Sequence, residues 1–157
     1  MFKSIHLEQH GKSRRLRAKK RFIARKKFVV NRRGELPTSA ISDSFKENFL
    51  AHVETDINAI EMRSHKLLSS LQSPQILGTL GGRRNLAKIG VSLAQAFTYL
   101  KRASRDLTYI FFVVNVKGVI VAVSALWFSG GWIIATTPTT SLEMWKPGRR
   151  VVVLPHG

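Results

Sequence analysis

Apolar and polar positions segregate sharply along the chain. From Tyr109 to Ala135 an apolar run is broken by one charge, Lys117, and Gly118 to Thr136 is an uncharged stretch of 19 residues. A hydrocarbon core of about 30 Å needs roughly 20 apolar residues in helix, so this stretch predicts one transmembrane helix and has no room for two. Fourteen Ile, Leu, Val and Phe residues between Ile110 and Ile134 favour insertion by about 0.3–0.6 kcal/mol each, against about 3 kcal/mol for a central Lys. With Lys117 at the inner boundary, its ammonium reaches the interface. Gly118, Ala122, Ala125 and Ser129 then fall at i, i+4, i+7 and i+11. They form a small-residue, helix-packing stripe for a neighbouring transmembrane subunit.

Upstream, Ser44 to Leu71 reads as an amphipathic helix, opened by Ser44 with Glu47 three residues on, the capping-box spacing. Ile57, Ile60, Leu67 and Leu71 give it a narrow apolar face. Residues 69–84 form a Ser- and Gly-rich hinge. A second helix is predicted from Asn85, with Leu86, Ile89, Leu93, Phe97 and Leu100 on one side and Lys101, Arg102 and Arg105 after it. Basic residues flanking a span favour the cytoplasmic or matrix side. The N-terminus is therefore expected inside, with a mitochondrial or bacterial inner membrane as the location.

A rival reading makes the tail β, because it is rich in Val, Ile, Phe and Trp and interrupted at hairpin-like intervals. Strands at Tyr109 to Val114, Val119 to Phe128, Trp132 to Thr136 and Arg150 to Leu154 would form an antiparallel meander within an α+β domain. Missing alternation counts against it, since a sheet with one wet face places polar residues at every second position.

Charge changes what the chain can bind. The formal net charge is +17, and 13 of the 26 Lys and Arg residues fall within the first 33 positions. Arg14, Arg15, Arg17, Lys19, Lys20, Arg21, Arg25, Lys26, Lys27, Arg32 and Arg33 alternate with Leu16, Phe22, Ile23, Phe28, Val29 and Val30. Such a basic arm suits anionic lipid headgroups or the phosphates of RNA or DNA. Five of the nine acids lie between Asp43 and Glu61. The division expected is a basic arm (1–36), a helical region (37–106), a transmembrane segment (107–137) and a short outer tail (138–157).

Candidate chemistry is sparse. The absence of cysteine removes disulfides and thiolate chemistry. Glu54, Asn58, Glu61 and His65 would share a helical face, but a metal needs three or four convergent ligands, and no matching second pair follows. Gly81 and Gly82 before Arg83 and Arg84 offer backbone N–H groups and guanidinium to a phosphate, without the Gly-Lys-Ser/Thr ending of a P-loop. His6, His10, His52 and His65 have no Ser or acid at triad spacing. Arg150 to His156 is similar to the strand leading to the catalytic His in chymotrypsin-like proteases of positive-strand RNA viruses. The similarity spans seven residues with no acid or nucleophile after them, and no activity is assigned on it. No cofactor is implied. The chain reads as mainly α: a basic arm, two amphipathic helices and one C-terminal transmembrane helix. In function it reads as a non-catalytic single-pass subunit or assembly factor of a membrane complex, with nucleic-acid binding as the alternative.

Overall fold

The computed structural model describes residues 6–82 and 90–154. At its centre is β7 (Tyr109–Val114), the fourth strand of a seven-stranded mixed sheet ordered β1-β5-β11-β7-β8-β9-β3. The others are β1 (Leu7–Leu16), β3 (Thr38–Ile41), β5 (Ile60–Leu67), β8 (Ile120–Phe128), β9 (Gly131–Pro138) and β11 (Arg150–Val153). Five consecutive residues of β7, Tyr109 to Val113, are buried. Both faces of the sheet are covered, and a strand covered on both faces reads as a continuous apolar run instead of an alternating one.

The first face carries Met62, Tyr109, Phe111, Val113, Val121, Val123, Ala125, Trp132, Ile134 and Val152. Over it lie β2 (Lys19–Ile23) paired with β4 (Val53–Ile57), and three helices: α1 (Ala24–Lys27), α2 (Asp43–Phe49) and α4 (Leu93–Leu100). This layer contributes Phe22, Phe28, Phe45, Phe49 and Phe97, with the rings of Phe22 and Phe28 5.5 and 5.3 Å from that of Phe97. The opposite face carries Leu67, Ile110, Phe112, Ala122, Val151 and Val153. It is covered by β6 (Leu71–Gln72), α3 (Ser73–Thr79) and β10 (Met144–Trp145), through Leu71, Ile76 and Leu77, with Trp145 Nε1 donating to Ser73 Oγ at 2.9 Å.

The mainly α expectation is overturned. No helix among the described residues is long and apolar enough to cross a membrane, which removes the single-pass reading, its inner-membrane location and its N-in topology. The stretch Gly118 to Thr136 is not a helix. It holds β8, most of β9 and a tight turn in which Ser129 and Gly130 have φ of 55° and 85°. β7, β8, β9 and β11 occupy much of the ground of the rival strand reading. They do not form a meander, because β11 inserts between β5 and β7 and runs parallel to β7.

The long helix from Ser44 to Leu71 stops after seven residues. Ser42, not Ser44, caps α2 by accepting the Phe45 N–H at 3.1 Å, while Ser44 Oγ donates to the Thr136 carbonyl at 3.0 Å. Beyond it Val53, Thr55 and Ile57 are β-branched, which favours a strand over a helix there. The second predicted helix is α4, opened by a Ser92–Gln95 capping box; Asn85, Leu86 and Ile89 lie outside the described residues. The hinge contains β6 and α3, with Gly81 and Gly82 at φ of 102° and 75°, and Arg83 and Arg84 lie outside the described residues.

Candidate nucleic-acid interface

The basic segment owes its placement to a few apolar anchors. Phe22, Ala24 and Phe28 are buried, and the Ala24 N–H donates to the His52 carbonyl at 3.0 Å. With these pinned, α1 presents Arg25 and Lys26 to solvent. Lys20, Arg21, Arg32 and Arg33 are also exposed, and Arg17 sits exposed in the turn between β1 and β2. Arg14 and Arg15, adjacent on β1, point to opposite sides. Arg14 stacks 4.9 Å from the centre of the Tyr99 ring on the first face, and Arg15 pairs in register with Glu61.

Fold-level packing brings distant cations to this segment. Phe97 of α4 is wholly buried, and the ammonium groups of Lys19, Lys27 and Lys101 lie 5.5, 5.9 and 5.7 Å from its ring centre. One carboxylate serves the group: Glu35 accepts from Lys27 at 2.9 Å and from Lys101 at 3.0 Å. Those two hydrogen bonds hold the Glu35 carboxyl down to about 2. Burial, then Lys101, pushes the Lys19 ammonium below its ordinary value, an effect that Glu35 partly offsets. Three cations against one carboxylate leave a local excess of two positive charges.

The surface continues from this cluster. Arg105 lies 4.0 Å over the Trp127 ring, and Arg32 Nε donates to the Ser129 carbonyl at 2.6 Å. Lys101, Arg102 and Arg105 follow α4, and of these Lys101 joins Lys19 of β2 and Lys27 of α1 at Phe97. Sequence reasoning identified both basic groups but had no signal for their meeting. Phe97, 75 residues beyond Phe22 and packed against it, is the joint between them.

The proposed helix-packing residues do not share a face. Gly118, with φ of 78°, and Ser129 are in turns; Ala122 is buried on the second face of the sheet and Ala125 on the first. A spacing of three residues that aligns side chains on a helix puts them on opposite sides of a strand.

The histidine and carboxylate candidates also separate. Glu54 is on β4, Glu61 and His65 are on β5, and Asn58 lies in the intervening turn. No group of three or more metal-ligating side chains occurs among the described residues. Burial, then Arg63, pushes the His65 imidazole below its ordinary value. His52 and Glu54 line a cavity of about 320 Å³ with Val91, Ser92 and Val114. Glu54 accepts from the backbone N–H groups of Leu93 and Ala94, both at 2.8 Å, and lies 2.8 Å from His52 Nε2. Ser92 Oγ accepts the Gln95 N–H, so these polar groups are committed to the start of α4. Of the protease-like stretch, Arg150 to Val153 form β11, and Pro155 and His156 lie outside the described residues. Comparison of the chain with protein-family models, curated proteins and solved structures gives no match.

Proposed function

We propose that the protein binds nucleic acid through its phosphate backbone, on the surface built by β2, α1, the turn at residues 31–33 and the end of α4. The observation that carries this reading is the convergence of Lys19, Lys27 and Lys101 on Phe97, with Glu35 paired to Lys27 and Lys101. Each Lys or Arg that meets a phosphate releases condensed counterions, so the affinity falls steeply with salt. Glu35 holds Lys27 and Lys101 beside Phe97, and a phosphate that meets them takes its place as their anion. The feature behind this reading is positive charge, which meets the phosphates that every sequence shares.

The test is a fluorescence titration of a 20-nucleotide RNA between 50 and 300 mM salt, in competition with anionic liposomes. Log affinity should fall linearly with log salt, and the Lys19→Gln, Lys27→Gln, Lys101→Gln triple variant should reduce that slope by about 2, at about 0.7 per phosphate contact on a single strand. A triple variant that binds like the parent overturns the assignment of this surface. Displacement of RNA by liposomes at equal anionic charge favours lipid headgroups instead.

A further inference from the structure

We propose that Arg14 and Arg150, together with the Tyr109 hydroxyl, form a recessed site for a phosphate group. Arg150 is 7% exposed, and its Nε and Nη1 atoms are buried without a hydrogen-bond partner; Arg14 Nη1 is in the same state. A guanidinium stays protonated in proteins, so it cannot shed its charge to escape burial. Buried polar atoms without partners are rare in folded proteins, and an unfilled ligand position is one of the few accounts of them.

The sheet register sets the two arginines on one face but four positions apart along β5, Arg14 against Met62 and Arg150 against Lys66, and their link runs through Tyr99 and Tyr109. Arg150 is paired with Tyr109 on β7 and with Lys66 on β5, and Val152, two residues on, packs in the core of the first face. Arg14, on β1, reaches the same face and stacks on Tyr99, whose ring is 5.7 Å from that of Tyr109. Both guanidinium groups act electrostatically on the Tyr109 hydroxyl. Burial, then Tyr99, pushes that hydroxyl above its ordinary value, and a hydrogen bond with the Ser104 backbone and the two arginines partly offset this. The neighbouring Arg149 is committed elsewhere, donating from Nη1 to Thr108 Oγ1 at 2.9 Å.

The chemistry of these donors fits an anion. The ion pairs among the described residues use Glu35 and Glu54. Glu8 lies in the same row of the sheet, opposite Lys66, but it is exposed and pairs with neither arginine. Two planar forks, a phenol and Lys66 on the same face present a surplus of donors and of positive charge, which a phosphate dianion matches better than a single carboxylate. Arg14 is partly exposed and marks the mouth of the site. The phosphate can be free or at the end of a nucleic-acid strand, and the site does not depend on the backbone-binding surface around Phe97.

Thermal melting of the full chain with increasing inorganic phosphate, at ionic strength held constant with chloride, reads the site. The parent should show a saturable rise in Tm, whereas Arg14→Gln and Arg150→Lys should weaken the phosphate midpoint tenfold or more. Lys146→Gln removes the same charge from a surface position and should leave the midpoint unchanged. If Arg150→Lys does not fold, the partly exposed Arg14 position carries the comparison. A rise that never saturates, or variants that titrate like the parent, overturns the proposal. A 5′-phosphorylated oligonucleotide that binds more tightly than its 5′-hydroxyl form, in an Arg14-dependent manner, identifies a strand end as the source; saturable binding of inorganic phosphate alone identifies the free ion. The Lys19, Lys27 and Lys101 triple variant should keep its phosphate response even where RNA binding is lost, which separates failure of one site from failure of the other.

Discussion

The Glu54 carboxylate on β4 accepts the backbone N–H of Leu93 at 2.8 Å, and so caps α4 from a strand 39 residues upstream. The Ala94 N–H and His52 complete its hydrogen bonds. Replacing Glu54 by Ala leaves two helix N–H groups without their charged acceptor and should cost about 3 kcal/mol, since bonds to charged groups contribute about 1.5–3 kcal/mol each. Urea denaturation measures it.

The same carboxylate gives acid sensitivity. Burial raises its pKa, but the hydrogen bonds from His52, Ala94 and Leu93 outweigh burial and leave it lowered. A group with a lowered folded pKa stabilises the fold above its unfolded value and loses that contribution as pH falls through the folded value. Glu54→Gln should therefore lose less stability than the parent on acidification below the ordinary carboxylate range. Equal acid limbs in the two proteins would remove Glu54 as the cause.

Four of the eleven strands, β7, β8, β9 and β11, were visible in the sequence as the rival reading, whereas β1 and β2 fall where an arm was expected, β4 and β5 where a helix was expected, and the most conspicuous stretch pointed the wrong way. Tyr109 to Val114 has β-branched and aromatic residues throughout, but it lacks alternation because Ile110 and Phe112 meet one layer while Tyr109 and Phe111 meet the other. Covered strands and membrane helices can share one apolar signature. The signals for their separation were local: Gly118 and Gly130 at positive φ interrupt the run into segments far too short to span a bilayer as a helix. The basic cluster at residues 14–33 was evident from composition. Its extension to Lys101 was not, because that contact depends on Phe97 packing across the chain.

Glu35 restrains the surface it organises. Its two ion pairs are solvent-accessible, with the Glu35 side chain 46% exposed, so after screening they stabilise the fold by less than about 1 kcal/mol. For nucleic-acid binding the carboxylate is a competing anion. Glu35→Gln should raise RNA affinity several-fold and steepen the salt dependence, while Tm changes little. Because Glu35 is held near 2, acidification of the parent from about pH 4.5 should not reproduce that gain until pH approaches this value. Unchanged or weaker binding by Glu35→Gln would mean that holding the lysines in place outweighs competition.

Gly131 is required by the edge of the sheet. A Cβ added there would lie 2.6 Å from the Ser39 backbone nitrogen and 2.8 Å from the Thr38 carbonyl carbon, and backbone atoms cannot swing aside. β3 pairs with β9 along this seam, where the Trp132 N–H donates to the Pro37 carbonyl at 2.8 Å. Gly131→Ala should cost about 2 kcal/mol, within the range for overpacking. Hydrogen exchange should show the loss first at Ile41 and Ser42, where β3 leaves the sheet.

Ala122 and Ala125 distinguish a strand from a membrane helix in one set of variants. Both are fully buried, Ala122 among Ile110, Phe112 and Val151, and Ala125 beside Tyr109 and Ile134. Each Ala→Ile change inserts three carbons into a packed layer and should cost about 1–3 kcal/mol. The two side chains point into different cores, so the double variant should lose the sum of the single losses to within about 0.5 kcal/mol. On one face of a helix the two positions, three residues apart, would share a neighbour and couple. Urea unfolding of the two single variants and the double variant measures that coupling, and a value well above 0.5 kcal/mol would contradict the placement of these residues on opposite faces of β8.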